Sequence, residues 1–230
     1  MPTPPPTTRA LPLIGVSADV HEDRARVKRT YSEAIRRVGG VPVVLCPPED
    51  PAHAARAAHE ALERLDGLVL TGGDDPLMEP FGRATDPRTT RMHPSRQPFE
   101  VALATAALAR DTPTLGVCLG MQYLALVTGG DLVQWMPDAL PTHRDHWNDA
   151  RHAVVPETDD LPAGEVTSHH RQAVSDPGAL RVLARAHDGV IEAIGDHDRR
   201  FVMGVQWHPE RTDSHALGDG LYRSLIDACT

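Results

Sequence analysis

Cysteine is scarce in this sequence: the 230 residues contain only Cys46, Cys118 and Cys229. The three form no C-x-x-C pair and are too few for a disulfide framework. This excludes a disulfide-stabilised scaffold and predicts a reducing, cytoplasmic environment. No stretch approaches the ~18 consecutive apolar residues of a membrane span, so we expect no membrane partner.

Aromatic residues and positive charge are also scarce. Aromatics make up 4% of the chain, so a core drawn from its 40% hydrophobic residues must consist mainly of Ala, Val, Leu and Ile. The 23 Lys and Arg residues are outnumbered by 32 Asp and Glu residues. The resulting formal charge of −9 argues against a nucleic-acid partner.

Composition along the chain predicts its domain organisation. The first residues, MPTPPPTTRA, are rich in proline and lack the apolar core of a signal peptide, so we expect a disordered lead-in over 1–10. Residues 11–230 show no internal repeat and no clear linker, and their number suits a single large α/β domain.

Short apolar runs alternate with helical patterns through the first half of the chain. This alternation predicts a doubly wound, mostly parallel central sheet flanked by helices. The second half is less regular and predicts an antiparallel extension of the sheet followed by a closing helix. The predicted strands cover 13–17, 41–45, 67–70, 114–117, 182–186, 191–194 and 201–206, and the predicted helices cover 26–38, 51–65, 99–110, 119–128 and 215–229.

The first chemical motif is Gly116-Val117-Cys118-Leu119-Gly120, which follows a predicted strand and opens a predicted helix. This is the context of a nucleophile elbow, in which a sharp turn projects the nucleophile above the edge of the sheet. Glycines allow close approach of backbone and substrate, and the helix N-terminus stabilises negative charge on the thiol. Alone, the motif also fits a buried cysteine between two packing glycines.

The second motif is GVQWHPE at 204–210. His208 stands at the end of a predicted strand, and Glu210 follows two residues later. A carboxylate in that position can orient the imidazole and keep it in one tautomer, so that the histidine deprotonates a thiol and protonates a leaving amine. Alone, His-Pro-Glu also fits a solvated turn.

Together, GVCLGMQ and GVQWHPE resemble the two catalytic blocks of the class I glutamine amidotransferases, and the 90-residue separation of Cys118 and His208 suits that family. The resemblance extends over nearly the whole chain after the lead-in and implies the family's flavodoxin-like fold. Further blocks resemble the peptidase C26 group, which includes γ-glutamyl-γ-aminobutyrate hydrolase. These blocks are YSEAI at 31–35, GGVP at 39–42, LDG at 65–67, GGDD at 72–75, SHHRQ at 168–172 and DGVIEA at 188–193.

The resemblance implies a catalytic triad of Cys118 as nucleophile, His208 as general base and acid, and Glu210 as the group that orients the histidine. It also implies an oxyanion hole formed by the backbone N–H groups of Leu119 and Gly73. Glycine suits the second position because the backbone must approach the substrate closely. Without the cysteine downstream, the same glycines would fit an ordinary tight turn.

Three residues are predicted to bind substrate. Gln122 lies one helical turn beyond Cys118, although it also fits a glutamine on a helix surface. Ser168 and His170 match the Ser-x-His-x-Gln block of the family. His169 is the alternative to His170 as the histidine that faces the pocket.

Three departures from the peptidase C26 pattern concern the amine side of the substrate. Leu119 stands where the group often has arginine, and leucine is more typical of glutamine-using amidotransferases. Gln97-Pro98 departs from the usual Arg-Asp-x-Phe-Glu, and Met78 stands where a proline is expected. These changes spare the triad and leave the amine undetermined.

Thirteen histidines raise the question of a metal site. His143, His146 and His152 are spaced H-x2-H and then H-x5-H, in a region without predicted elements and without a cysteine. A structural zinc site usually pairs its ligands at short spacing in both halves. We therefore expect no metal site, and the resemblance implies no organic cofactor.

These observations predict a cysteine-dependent hydrolase of γ-glutamyl amide bonds that works through a γ-glutamyl thioester and takes a small-molecule γ-glutamyl substrate. Two alternatives remain open: a glutaminase subunit that donates ammonia to a separate synthase, and a non-catalytic binding protein on the same fold. The sequence determines neither the amine nor the pathway, and it leaves a homodimer open.

Overall fold

The computed structural model describes residues 10–230. The lead-in predicted over 1–10 lies outside the described residues, except for Ala10. The strands are β1 (Leu13–Ser17), β2 (Asp19–His21), β3 (Arg24–Arg26), β4 (Val41–Leu45), β5 (Gly67–Leu70), β6 (Thr114–Val117), β7 (Asp131–Val133), β8 (Ala150–Pro156), β9 (Gly164–Ser168), β10 (Ala173–Asp176), β11 (Arg181–Ala186), β12 (Ile191–Asp196) and β13 (Val202–Val205). The helices are α1 (Arg29–Arg37), α2 (Ala54–Leu62), α3 (Arg96–Ala109), α4 (Leu119–Val127), α5 (Met136–Ala139) and α6 (Asp219–Ala228). In this part of the chain, no helix is both long and apolar enough to cross a membrane.

Nine of these strands form one sheet in the order β4-β1-β5-β6-β13-β12-β11-β8-β9. Neighbours from β4 to β13 run parallel, and neighbours from β13 to β9 run antiparallel. The predicted fold, a doubly wound and largely parallel sheet with flanking helices, is therefore confirmed. The strand predicted over 201–206 was expected in the antiparallel extension, but β13 pairs parallel with β6 and is the boundary between the two halves.

Alternate residues of the parallel strands bury into two hydrophobic cores. In β5, Leu68 and Leu70 pack with residues of α2, α3 and α4, whereas Val69 packs with residues of α1 and α6. This follows from strand geometry, because successive side chains point to opposite faces of a sheet. All four residues of β5 are buried, which explains why its sequence is a continuous apolar run.

Four of the five predicted helices begin at residues other than those predicted. The helix expected from residue 51 begins at Ala54, after the 3-10 turn Pro51–His53, and the helix expected from residue 215 begins at Asp219. The helix expected from residue 26 begins at Arg29, because residues 19–26 form a polar hairpin of β2 and β3. The helix expected from Phe99 begins at Arg96, which places Pro98 in its first turn. Proline is tolerated there because the N–H groups of the first turn have no partner within the helix.

The carboxyl ends of β1, β5, β6 and β13 lie along one edge of the sheet, because these strands are parallel neighbours. Val117 ends β6 and is paired in register with Val205, which ends β13. Cys118 and the segment 206–208 therefore emerge side by side. The glycine turn at 71–73 follows β5 at the same edge.

Substitution of Gly120 by Ala should destabilise the protein at this edge. A Cβ at Gly120 would collide with the backbone carbonyl of Leu70 and lie 2.7 Å from its Cβ. Since a buried strand cannot move aside, we expect the free energy of unfolding in urea to fall by about 2–3 kcal/mol. The control is Gly82→Ala, where φ is 76° and nothing lies within 4 Å; backbone strain alone should cost about 1 kcal/mol there. Equal losses in the two variants would contradict the packing argument.

Candidate active site

Cys118 occupies a strained turn between β6 and α4. Its φ of 52° and ψ of −103° lie outside the regions that non-glycine residues usually adopt. The Cys118 N–H donates to the carbonyl of Val205 at 2.8 Å, which ties the turn to β13. A strained residue of this kind persists only where its surroundings over-determine it, and such residues cluster at functional sites.

His208 and Glu210 lie in the turn that follows β13. The His208 N–H donates to the carbonyl of Thr167 at 2.9 Å, which fixes the backbone against β9. The Nδ1 atom of His208 donates to Glu210 Oε1 at 2.8 Å, and the side chain of Cys118 lies near enough to the imidazole to raise its pKa. An ionised carboxylate only accepts, so Glu210 holds the proton on Nδ1 and leaves Nε2 for Cys118. The structure thus brings the three predicted triad residues together.

The charges of this pair stabilise each other. Burial by itself lowers the pKa of His208, but the Glu210 carboxylate and the contact with Cys118 raise it to about 9. Burial by itself raises the pKa of Glu210, but His208 stabilises the carboxylate and the net shift is downward. At neutral pH, His208 is therefore an imidazolium with a proton to donate.

The glycine turn at 71–73 rests on the buried guanidinium of Arg96. Arg96 Nη2 donates to Thr71 Oγ1 at 3.1 Å and to the carbonyl of Gly72 at 3.0 Å. A Cβ at Gly73 would collide with this guanidinium. Glycine is therefore required at position 73 by packing as well as by any approach of substrate.

The two N–H groups predicted to form the oxyanion hole belong to Leu119 and Gly73. Leu119 is the first residue of α4, so its N–H has no acceptor within the helix. Across residues 10–230, neither N–H donates a hydrogen bond to another protein group. Gly73 and Cys118 line the same two cavities. Free N–H groups next to a nucleophile are what stabilisation of an oxyanion requires.

The two cavities meet at Cys118 and Gly73. The larger has a volume of about 500 Å³ and the smaller a volume of about 120 Å³. A substrate whose reacting bond lies at Cys118 can therefore extend into one cavity on each side. Besides the imidazolium of His208, the larger cavity is lined by the charged residues Asp19, Arg26, Lys28 and Asp74. The smaller cavity is lined by residues that include Asp75, Gln122, Trp135, Trp147, His170 and Arg171.

The sequence has counterparts among known proteins. The sequence profile of Peptidase C26 matches residues 12–210. This chain belongs to the peptidase C26 family. A glutamine amidotransferase-like protein of Mycobacterium tuberculosis is 34% identical, over 95% of this chain and 75% of its own length. The γ-glutamyl-γ-aminobutyrate hydrolase PuuD of Escherichia coli is 29% identical, over 95% of this chain and 93% of its own length.

The fold also has counterparts among solved structures. A GMP synthase-like protein from Thermoplasma acidophilum superposes with a TM-score of 0.66 at 19% sequence identity, over 96% of this chain and 95% of that one. The family profile and the sequence relatives confirm the predicted resemblance to the glutamine amidotransferase-like family, and the solved structure confirms its fold. Membership of the peptidase C26 family supports a hydrolase.

In this peptidase C26 protein, two of the three predicted substrate residues line a cavity, whereas Ser168 lines neither. Gln122 is buried and lines the smaller cavity. Ser168 is buried at the end of β9, and its hydroxyl has no hydrogen-bond partner among the described residues. His170 lines only the smaller cavity and its ring lies beside the buried Glu192. His169, the alternative to it, lines both cavities.

Sequence reasoning missed Arg96 as the support of the glycine turn. The guanidinium is paired with Asp19 at 3.2 Å and with Glu100 at 3.0 Å. Arg96 and Glu100 stand four residues apart in the block compared with Arg-Asp-x-Phe-Glu, so part of the signal was present. The sequence alone did not show that Asp19, in β2, pairs with the same guanidinium.

Tyr31 was also missed. It lies in the YSEAI block, which supported the family resemblance but suggested no role. The Tyr31 hydroxyl accepts a hydrogen bond from the Gly72 N–H at 3.0 Å, and the residue lines the larger cavity. Tyr31 therefore holds the N–H of Gly72, whereas Arg96 holds its carbonyl.

Replacement of Glu210 by Gln should lower the pKa of His208. In the wild-type protein, the imidazole should lose its proton only as the pH rises through about 9. The amide removes the charge that offsets burial, so the titration should move down towards the ordinary value of about 6.5 or below it. NMR titration of the histidine ring resonances measures the shift. The pKa of His169, which burial and the charge on His208 lower, should rise as that charge is lost. An unchanged His208 titration would show that Glu210 does not control its charge.

Proposed function

We propose that this protein hydrolyses the amide bond of γ-glutamyl amines through a γ-glutamyl thioester on Cys118. The observation that carries the proposal is that Cys118 lies beside His208, which is hydrogen-bonded to Glu210, at the junction of two cavities. A cysteine with an oriented imidazole is the arrangement that covalent catalysis at a carbonyl requires. The similarity to PuuD supports γ-glutamyl amines as the substrate class.

In the first half-reaction, the thiolate of Cys118 attacks the γ-carbonyl carbon, its proton having passed to His208. The carbonyl oxygen becomes an oxyanion, for which the N–H groups of Gly73 and Leu119 are the donors. When the tetrahedral intermediate collapses, the C–N bond breaks and His208 Nε2 gives its proton to the leaving amine. A thioester on Cys118 and a neutral imidazole result.

In the second half-reaction, water attacks the thioester carbonyl while His208 takes a proton from it. The C–S bond then breaks, sulfur leaves as a thiolate beside the imidazolium, and glutamate is released. Glu210 stays ionised throughout and stabilises each imidazolium that forms. The net reaction converts a γ-glutamyl amine and water into glutamate and the free amine.

The smaller cavity suits the glutamyl group. The guanidinium carbon of Arg171 lies 3.8 Å from the ring centroid of Trp147, and among residues 10–230 no carboxylate pairs with it. It is therefore available to an α-carboxylate. Asp75 lines the same cavity, and its Oδ2 accepts from the Thr90 N–H at 2.8 Å, which leaves Oδ1 for an α-ammonium group.

The larger cavity suits an amine that carries its own carboxylate. Arg26 is paired there with Asp19 at 3.1 Å. Lys28 lines the same cavity and, in the described part of the chain, has no carboxylate within 4 Å. An unpaired ammonium on the amine side supports a leaving group such as γ-aminobutyrate, with its charge at the far end.

The purified chain should hydrolyse γ-glutamyl-γ-aminobutyrate without any partner protein. Steady-state release of glutamate is the measurement, with γ-glutamyl-butylamine and glutamine in the same panel. Cys118→Ala should lower kcat by more than about 10³-fold, because triad members act as a unit. Cys46→Ala is the matched control and should retain wild-type turnover, since Cys46 is an exposed residue outside both cavities. Glutamine cleavage that appears only after addition of a synthase would favour the alternative of an ammonia-donating glutaminase and defeat the proposal.

Lys28→Met should discriminate between amines. The variant keeps the length of the side chain and removes its charge, so kcat/KM for γ-glutamyl-γ-aminobutyrate should fall about 10- to 100-fold. The value for γ-glutamyl-butylamine, which lacks the carboxylate, should stay within about twofold of wild type. Arg24→Met is the control, because Arg24 lies outside both cavities and is largely exposed. Equal effects on both substrates would contradict the proposal that Lys28 binds the carboxylate of the amine in the larger cavity.

A further inference from the structure

A cluster of buried histidines surrounds Glu192, apart from the triad. Its members come from four segments: His146 from the 3-10 turn His143–His146, His152 from β8, His170 from the loop after β9, and Glu192 from β12. His146 and Glu192 are 0% exposed. A carboxylate so completely removed from water needs a compensating positive charge.

Nitrogen atoms of the three histidines converge on one oxygen of Glu192. His146 Nδ1 lies 3.1 Å from Oε1, His152 Nε2 lies 3.3 Å from it, and His170 Nε2 lies 3.6 Å from it. Nevertheless, none of these nitrogens makes a well-aligned hydrogen bond to another described residue, and neither oxygen of Glu192 does. The four groups therefore face a shared space and do not satisfy one another.

The outer nitrogen of each ring shows where its proton lies. His146 Nε2 is 3.0 Å from a carboxylate oxygen of Asp188. The outer nitrogens of His152 and His170 are 3.0 and 2.8 Å from backbone carbonyl oxygens. Carbonyl and ionised carboxylate oxygens only accept, so each outer nitrogen carries a hydrogen. In neutral rings, the inner nitrogens therefore present lone pairs towards the Glu192 carboxylate.

A cation among these atoms would remove the repulsion between the lone pairs of the histidine nitrogens and the carboxylate of Glu192. Within residues 10–230, no Lys or Arg nitrogen lies within 4 Å of Glu192. Additional protons on all three rings would place like charges close together, since the ring centroids of His152 and His170 are 4.5 and 5.0 Å from that of His146. Like charges at such distances in a buried site are unfavourable. One divalent ion satisfies every inner atom at once.

We infer that this cluster is a zinc site with His146, His170 and Glu192 as ligands. Their ligand atoms all lie within 4.8 Å of one another. Ligands about 2.0–2.1 Å from a tetrahedral zinc lie about 3.3–3.4 Å apart, and the 3.1 and 3.6 Å separations from Glu192 Oε1 bracket that value. His152, 3.3 Å from the same oxygen, is the nearest group for the fourth position.

The surroundings of the cluster are those of metal-bound histidine. A ligating histidine usually donates its outer N–H to a carboxylate or a carbonyl oxygen, which fixes the ring and raises its basicity. All three rings do so here, and the Asp188 carboxylate that accepts from His146 is itself held by the Thr142 hydroxyl at 2.6 Å. This outer layer of hydrogen bonds is independent of the distances between the ligands.

The zinc site organises the wall of the smaller cavity and takes no part in the chemistry at Cys118. It joins the turn that precedes Trp147 to the loop that carries Arg171, through strands β8 and β12. Trp147 and Arg171 both line the smaller cavity. With His152 in the fourth position, four protein ligands close the coordination, which is typical of a structural site.

Metal analysis of the purified protein tests the inference without reference to activity. We expect about one zinc per chain, lost on dialysis against a strong chelator and restored by zinc alone. Cobalt added to the chelator-treated protein should give the intense visible absorption of a four-coordinate ion. Asp188→Asn, which alters only the outer layer, should weaken zinc binding about 10- to 100-fold.

Two variants separate a metal site from a hydrogen-bonded cluster. Glu192→Gln keeps the shape and the hydrogen-bonding capacity of the side chain but should abolish stoichiometric zinc. His59→Asn removes an exposed histidine and should leave zinc content unchanged. If Glu192→Gln fails to fold, the chelator and cobalt experiments on the wild-type chain still decide. Less than about 0.1 zinc per chain, no cobalt spectrum and a melting temperature insensitive to zinc would overturn the inference.

Discussion

The sharp turn at Cys118 is the constraint on which the site depends. A residue with φ of 52° joins the end of β6 directly to α4, and the helix can begin there only because its first turn packs against bare backbone. A Cβ at Gly116 would lie 2.7 Å from the backbone of Gly120. The same turn hydrogen-bonds to Val205, the last residue of β13, so the strand that presents His208 is held in register with the strand that presents the nucleophile.

The buried guanidinium of Arg96 fixes the backbone of the glycine turn at 71–73, on the other side of the nucleophile. Arg96 has no solvent exposure, and burial of an isolated charge would be costly. Asp19 and Glu100 offset this cost, and the remaining donors of Arg96 hold the backbone of the glycine turn. The Gly73 N–H is therefore positioned by rigid contacts before any substrate arrives. A hydrolase that acts without a partner requires such preorganisation.

The parallel half could be predicted from sequence because each strand is a short apolar run between turn residues. The predicted bounds of β1, β4, β5 and β6 match those of the structure. The β2–β3 hairpin could not be predicted, since Asp19 to Arg26 is polar and has no alternating pattern. The cluster around Glu192 escaped for another reason: its members lie in four segments, and proximity arises only from the pairing of β8, β11 and β12. From the spacing of the histidines we expected no metal site. Our zinc inference opposes that prediction.

The structure shows where the three departures from the family pattern, at Leu119, Met78 and Gln97, lie relative to the cavities. The side chain of Leu119 is 1% exposed and packs in the hydrophobic core. Only its backbone N–H is available to the site, because Leu119 is the first residue of α4. Met78 is fully buried, and the Gln97 amide exchanges two hydrogen bonds with the backbone of Leu77. None of these three side chains lines either cavity. The choice of amine must therefore depend on other residues, and Lys28, which lines the larger cavity and has no carboxylate within 4 Å in the described part of the chain, is the residue we assign to it.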